Sequence, residues 1–256
     1  MSEAIIEVQE VAKAFRVPSV RRDTVREHLL GLLDPPAFRR FEVLRSVSFE
    51  VARGESLAIM GRNGSGKSTL LKLLCGIYIP DRGRVDVRAP ITPILELGVG
   101  WNPDLDAIDN IMLLGTVMGM SLAETSSATE EILAFAELEP FANLELRHYS
   151  SGMASRLAYA VAFKAVREVL VLDEVYAVGD ARFKARCEAR YRQLKAEGHT
   201  VVLVSHDERA VSLCDRALLL DGGLVAATGT PAQIFEAYMR ESTHPAAPPP
   251  AGPDGS

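Results

Sequence analysis

Three short stretches of the chain are apolar without a break: Leu57-Ala58-Ile59-Met60, Val169-Leu170-Val171-Leu172 and Val201-Val202-Leu203-Val204. Runs of this length without alternation mark strands covered on both faces. A helical pattern from Ala181 to Ala196 separates the second run from the third, and another helix follows Asp207. Strand and helix in alternation predict an α/β fold with a mostly parallel sheet core. Other segments read as antiparallel β elements. Ile5, Ile6, Val8 and Val11 suggest an opening strand ending near Lys13-Ala14-Phe15, and Val47, Phe49 and Val51 alternate as a half-buried strand. Arg53-Gly54-Glu55 and Pro80-Asp81-Arg82-Gly83 are turns, and Val85-Asp86-Val87 is a short strand. Ala217 to Ala227, broken by Asp221-Gly222-Gly223, reads as a hairpin, and Thr230-Pro231 starts a last helix through Tyr238.

Residues from about 104 to 166 form a predicted helical subdomain, where Ser121 to Glu124 and Ser127 to Glu130 both match the capping-box pattern. Between the first two strands lies an insertion from about 17 to 41. Within it, Val25 to Leu33 carries a short amphipathic helical pattern closed by Asp34-Pro35-Pro36, with Arg21, Arg22, Arg39 and Arg40 on its flanks. Connections in compact domains are usually about 4–6 residues, so this one is long. Its Leu29, Leu30, Leu32 and Leu33 stripe either packs on the domain itself or faces a partner. The Pro-Ala-Gly-rich end, residues 241–256, is expected to be disordered.

Chemistry enters with Gly61-Arg62-Asn63-Gly64-Ser65-Gly66-Lys67-Ser68-Thr69, which fits G-x-x-x-x-G-K-[ST] between a buried strand and the helical Leu70-Leu71-Lys72-Leu73-Leu74. Glycines let the backbone turn its N–H groups toward anionic oxygens, and the helix N-terminus adds its positive dipole end. Gly61, Asn63, Gly64, Ser65, Gly66, Lys67, Ser68 and Thr69 are therefore the expected nucleoside triphosphate contacts, with Lys67 reaching the phosphates and Ser68 ligating Mg²⁺. The bland alternative is a Gly-rich turn that spells the pattern by chance.

Two carboxylates, Asp173 and Glu174, end the Val169–Leu172 strand, where ligands bind in open α/β sheets. Asp173 suits Mg²⁺ coordination and Glu174 suits a base that positions an attacking water; a helix-capping pair is the plain reading. Ser150-Ser151-Gly152 enters an Ala-rich segment, Ala154 to Ala165, and offers either a second anion site or merely an N-cap.

Composition limits the partners. The chain has 256 residues, room for one large domain or two small ones, and 48% hydrophobic residues. No run approaches the roughly 20 apolar residues of a membrane span. The start, Met1 to Glu7, lacks the basic and apolar regions of a signal peptide, so a cytosolic location is expected. The formal net charge of −6 predicts no sequence-wide attraction to nucleic acid, and leaves room for a local basic patch. Cys75, Cys187 and Cys214 have no metal-binding spacing and read as free thiols.

The order of phosphate loop, Ser-Ser-Gly segment, Leu172-Asp173-Glu174 strand and Ser205-His206-Asp207 resembles the ATP-binding cassette (ABC) family across nearly the whole chain. The resemblance implies a P-loop NTPase of that type over residues 1–240, using ATP and Mg²⁺. It implies a second copy as partner, so that Ser150, Ser151 and Gly152 meet the γ-phosphate held by the opposite copy's Lys67. Lys67, Glu174 and His206 become the catalytic residues, His206 as the switch histidine coupled to Glu174, although a bland exposed histidine is the alternative there. Gly179-Asp180 occupies the loop that touches the other copy, and Phe15 the place of the aromatic on adenine, with core packing as its rival.

Two segments depart from the common pattern: Tyr149-Ser150-Ser151-Gly152-Met153, and Ile94 to Pro103, where Glu96 is the nearest polar match for a Mg²⁺ contact. With Asp173-Glu174-x-x-Ala177-Val178-Gly179-Asp180 and the basic insertion, they resemble the subgroup that exports lipid-linked surface polysaccharides such as O-antigen, capsule or teichoic acid. That subgroup implies integral membrane transporter subunits, a lipid-linked polysaccharide cargo and a peripheral place on the cytoplasmic face of the inner membrane. Arg21, Arg22, Arg39 and Arg40 would then face the membrane subunit and anionic lipid. Some members carry a further carbohydrate-binding β-domain, which is expected to be absent here. The alternatives are a cassette for another cargo (lipid, drug or small solute) and a non-transport cassette acting on chromosomes or ribosomes. The latter would need a coiled coil or a second cassette, and neither is visible.

Overall fold

The computed structural model describes residues 3–18, 38–95, 100–173 and 180–242. Its strands are β1 (Ala4–Pro18), β2 (Phe38–Ala52), β3 (Ser56–Met60), β4 (Arg82–Val87), β5 (Ile91–Ile94), β6 (Val169–Asp173), β7 (Thr200–Val204), β8 (Arg216–Asp221) and β9 (Leu224–Gly229). The helices are α1 (Lys67–Leu74), α2 (Ala107–Val117), α3 (Leu122–Ala136), α4 (Ser151–Lys164), α5 (Ala181–Ala196), α6 (Glu208–Ser212) and α7 (Pro231–Ser242).

The three apolar runs become neighbours in a six-stranded sheet of order β5-β6-β7-β3-β8-β9, parallel apart from the β8–β9 hairpin. Side chains alternate across a strand, and each run divides accordingly. Ala58, Met60, Leu170, Leu172, Val201 and Leu203 pack on one face with Tyr159 and Phe163 of α4 and Phe183, Tyr191 and Leu194 of α5. Leu57, Ile59, Val169, Val171, Val202 and Val204 pack on the other with Leu70, Leu71, Leu73 and Leu74 of α1. Full burial of such a side chain contributes about 1.5–3 kcal/mol, which explains why these strands carry no polar alternation. The same second face is closed by an antiparallel sheet of order β2-β1-β4 that contributes Ile6, Val8 and Val47. A third core, with Ile111, Leu114, Ile132, Leu133, Leu157 and Val161, joins α2, α3 and α4 into the helical subdomain.

Several boundaries differ from expectation. β1 and β2 stay paired beyond Phe15, as far as Val17 opposite Arg39 and Pro18 opposite Phe38. Exposed arginines there hid the alternation. The expected helix at Val25–Leu33 lies outside the described residues, as does the tail from 243 onward. Glu241 and Ser242 belong to the last turn of α7, not to that tail. Ser121 and Glu124 make the reciprocal capping box at the start of α3, but the second expected box fails. Ser127 lies inside α3, where its hydroxyl donates to the Ala123 carbonyl at 2.5 Å, so the pattern at 127–130 starts nothing. Among the described residues no helix is long and apolar enough to cross a membrane.

The three cysteines are free; Cys187 and Cys214 are buried and Cys75 partly so. Burial pushes the Cys75 and Cys187 thiols up to about 12 and the Cys214 thiol up to about 11.

Candidate functional site

The predicted phosphate loop leaves the C-terminal end of β3, whose five residues are all buried, and runs into α1. Gly66 forms the helix N-cap at φ 107°, a left-handed conformation that L side chains rarely adopt. Gly61 is fixed by proximity: a Cβ there would lie 2.2 Å from the Leu220 carbonyl oxygen and 2.6 Å from Ser65 Oγ. Lys67 folds back over the loop and donates to the carbonyls of Gly61 (2.8 Å) and Arg62 (3.0 Å). Ser65 Oγ is buried inside the loop and has no hydrogen-bond partner among the described residues. An orphaned buried hydroxyl costs about 1–3 kcal/mol, and a phosphate oxygen is the group that would satisfy it.

A cavity of about 400 Å³ opens over this loop, lined by Asn63, Gly64, Gly66, Lys67, Ser68 and Thr69 together with Phe41 and Val43 of β2. Phe41 was not anticipated. It is 58% exposed and lies directly opposite Phe15 in the β1–β2 register. Phe15 itself is half-buried, edge-on to Tyr78 at 5.4 Å, with Lys13 Nζ 5.8 Å from its ring centroid. Chain position alone cannot reveal such a pair, because the two rings are joined only by strand register; an isolated aromatic among arginines was the one available signal.

The register also aligns the rest of the site. Ile59, Val204 and Asp173 lie in one row across β3, β7 and β6, so Gly61 and His206 each stand two residues beyond it. Two strand spacings, about 10 Å, separate the phosphate-loop strand from the Asp173 strand. Ser205 is buried and its Oγ accepts the Asp207 N–H at 3.0 Å, shaping the turn that leaves His206 exposed beyond the C-terminal end of β7. Ser68 and Asp173 supply oxygen donors, which suit Mg²⁺. Among the described residues no group of three or more His, Cys, Asp or Glu could hold a metal unaided. That donor set fits a cation that keeps waters and takes phosphate oxygens.

Ser150, Ser151 and Gly152 are exposed at the N-terminus of α4, where Ser150 Oγ accepts the Met153 N–H at 3.2 Å as the helix N-cap. The helix they begin is anchored through Glu137, a left-handed residue (φ 57°) at the C-cap of α3. Its carboxylate meets Arg156 of α4 at 3.6 Å and Arg182 and Arg186 of α5 at 3.2 and 2.8 Å. Arg186 also donates to the α3 carbonyls of Ala134 and Phe135. Asp180 caps α5 through the Phe183 N–H at 2.8 Å, and that bond foremost holds its carboxyl below the usual range. Glu96, Glu174 and Gly179 lie outside the described residues.

A family profile described as ABC transporter matches residues 44–177, the stretch from β2 through the end of β6 and just beyond. The chain belongs to the ABC transporter family. It is 41% identical over 242 residues to the ABC transporter protein AbcA of Aeromonas salmonicida, covering 94% of this chain and 77% of that protein. It is 38% identical over 265 residues to the O-antigen export system ATP-binding protein RfbB of Myxococcus xanthus. That match covers 99% of this chain but 60% of the Myxococcus protein, so the chain spans less than two thirds of that relative. Among solved structures, the ATP-binding cassette MJ0796, a dimer in a post-hydrolysis state with ADP and Pi, superposes with a TM-score of 0.72. It covers 88% of this chain and 98% of its own at 23% identity, a likeness of fold.

Proposed function

We propose that this chain is the ATP-hydrolysing subunit of an ABC exporter of lipid-linked surface polysaccharide, acting at the cytoplasmic face of the membrane. Two copies would close over two ATP molecules beneath integral membrane subunits. The observation that carries the nucleotide reading is the phosphate loop, with an unsatisfied Ser65 hydroxyl inside it and Lys67 poised above it. The cargo reading rests on the O-antigen export relative, which aligns along 99% of the chain.

In this reading the loop N–H groups and Lys67 hold the triphosphate, and Phe41 or Phe15 takes the base. Mg²⁺, when bound, neutralises phosphate charge; Ser68, Asp173 and Glu96 are the residues that would hold it. Glu174 orients the attacking water and accepts its proton, and His206 links that group to the γ-phosphate. Ser150, Ser151 and Gly152 present N–H and hydroxyl groups to the nucleotide of the second copy.

Glu174→Gln tests the assignment, since it keeps shape and loses basicity. Turnover of the purified chain should fall about 10²–10⁴-fold while ATP affinity stays, and cells carrying the variant should lose surface polysaccharide. Turnover within tenfold of wild type would remove Glu174 from the role. Normal polysaccharide in cells whose variant is inactive would instead favour another cargo.

A further inference from the structure

The β1–β2 hairpin has two faces, and only one of them belongs to the nucleotide. Phe15 and Phe41 face one way, with Phe41 lining the phosphate-loop cavity. One position along, Arg16 lies directly opposite Arg40, so this pair projects from the reverse face. There Arg16, Arg40 and Arg82 surround a cavity of about 400 Å³ completed by Ala14 and Asp81. Like charges directly opposite in a sheet destabilise it, and the chain as a whole carries a net −6. A cluster of three guanidinium groups is therefore a local exception that folding alone does not favour.

Only partial compensation is at hand: of the three, Arg40 is attracted electrostatically to Asp81. Among the described residues, the side chains of Arg16, Arg40 and Arg82 make no hydrogen bond or ion pair. The one carboxylate in the cavity, Asp81, is already engaged: it accepts from the Ala14 N–H at 2.8 Å and from Lys13 Nζ at 3.0 Å. Those bonds, the Ala14 N–H foremost, hold Asp81 below the usual carboxylate range and keep it committed to Lys13. Three planar forks around one cavity match the geometry of phosphate oxygens. Beyond Arg40 on the same face stands Phe38, 55% exposed, whereas Val17, 50% exposed, stands on the Phe15 face. An exposed phenylalanine beside these arginines suits the headgroup boundary of a bilayer better than a soluble anion in water.

We propose that the reverse face of the β1–β2 hairpin is a seat for the phosphate headgroup of an anionic membrane lipid, held by Arg16, Arg40 and Arg82 with Phe38 entering the interface. It rests on membership of a membrane-transporter family and on this geometry, not on the identity of the cargo. The seat would orient the subunit against the leaflet while the opposite face of the same hairpin serves the nucleotide.

Co-sedimentation of the full-length chain with vesicles tests it. Wild type should bind phosphatidylcholine vesicles that contain phosphatidylglycerol, lose binding as salt rises, and ignore vesicles of phosphatidylcholine alone. Replacing all three arginines with glutamine should weaken binding about a hundredfold, since each basic residue near an anionic surface contributes roughly fivefold. The corresponding triple lysine variant should retain most of the binding, and Phe38→Ser should lose part of it. ATP affinity should stay constant throughout, which reports intact folding separately from the lipid seat and leaves the nucleotide reading unaffected. Equal vesicle binding by wild type and the glutamine variant would overturn the proposal. So would equal binding to neutral vesicles, or complete displacement from vesicles by low inorganic pyrophosphate, which would assign the seat to a soluble anion.

Discussion

The phosphate loop and the Ser150-Ser151-Gly152 segment are built alike and finished differently. Each is a turn of small residues that opens a helix, an arrangement whose N–H groups can hold an anion. The loop, however, is set between a fully buried strand and four buried leucines of α1, and it holds an orphaned Ser65 hydroxyl. The second segment is exposed, and Ser150 has already spent its hydroxyl on its own helix. One is complete within a single chain; the other is displayed outward on an arm fixed by Glu137 and its arginines. In the proposed function, rigidity is placed where the chain would bind alone, and accessibility where it would meet a second copy.

Breaking the finished half should have the largest effect. Gly66→Ala forces a side chain into φ 107° and toward Leu44 Cδ2 at 2.6 Å, so the loop must shift. Strain of this kind costs about 1–3 kcal/mol, and calorimetry should record ATP affinity weakened roughly tenfold to a hundredfold. Unchanged affinity would mean that the loop is looser than its geometry indicates. For the displayed half, Ser151→Arg should leave ATP binding to one chain intact. In a Glu174→Gln background with MgATP, light scattering should show the dimer weakened about tenfold, the cost of an overpacked contact. A dimer of normal stability would place the segment away from the second copy. The smallest effect is expected at the arm. Glu137→Gln removes the charge shared by three arginines but keeps the shape, and with the carboxylate 28% exposed the loss is about 1 kcal/mol. Thermal melting should fall by about 2–4 °C, and an unchanged midpoint would sever the arm from the arginines.

Much of this was legible in sequence where one physical rule acted alone. The runs Leu57–Met60, Val169–Leu172 and Val201–Val204, set between helical patterns, are strands of one parallel sheet as expected, and β6, β7 and β3 prove to lie side by side in it. α5 spans Ala181 to Ala196 as read, because Asp180 caps its start and Gly198 (φ 86°) follows its end. Legibility failed where partners are distant in the chain. Ser127 matched a capping pattern, yet it sits in a helix already nucleated by Ser121. The β1–β2 pairing past Phe15 was hidden because its exposed arginines leave no apolar alternation. Phe41 came to the phosphate loop through strand register, and the Arg16, Arg40 and Arg82 cavity through two separate pairings of β1.

The three cysteines have a practical consequence for anyone who wants to watch the displayed segment move. Alkylating reagents attack the thiolate, and thiols pushed to about 11 or 12 present almost none of it at neutral pH. All three should therefore react slowly with maleimide dyes. A single cysteine placed at an exposed position would carry a fluorophore or spin label by itself, without first stripping the native sulfur from the core.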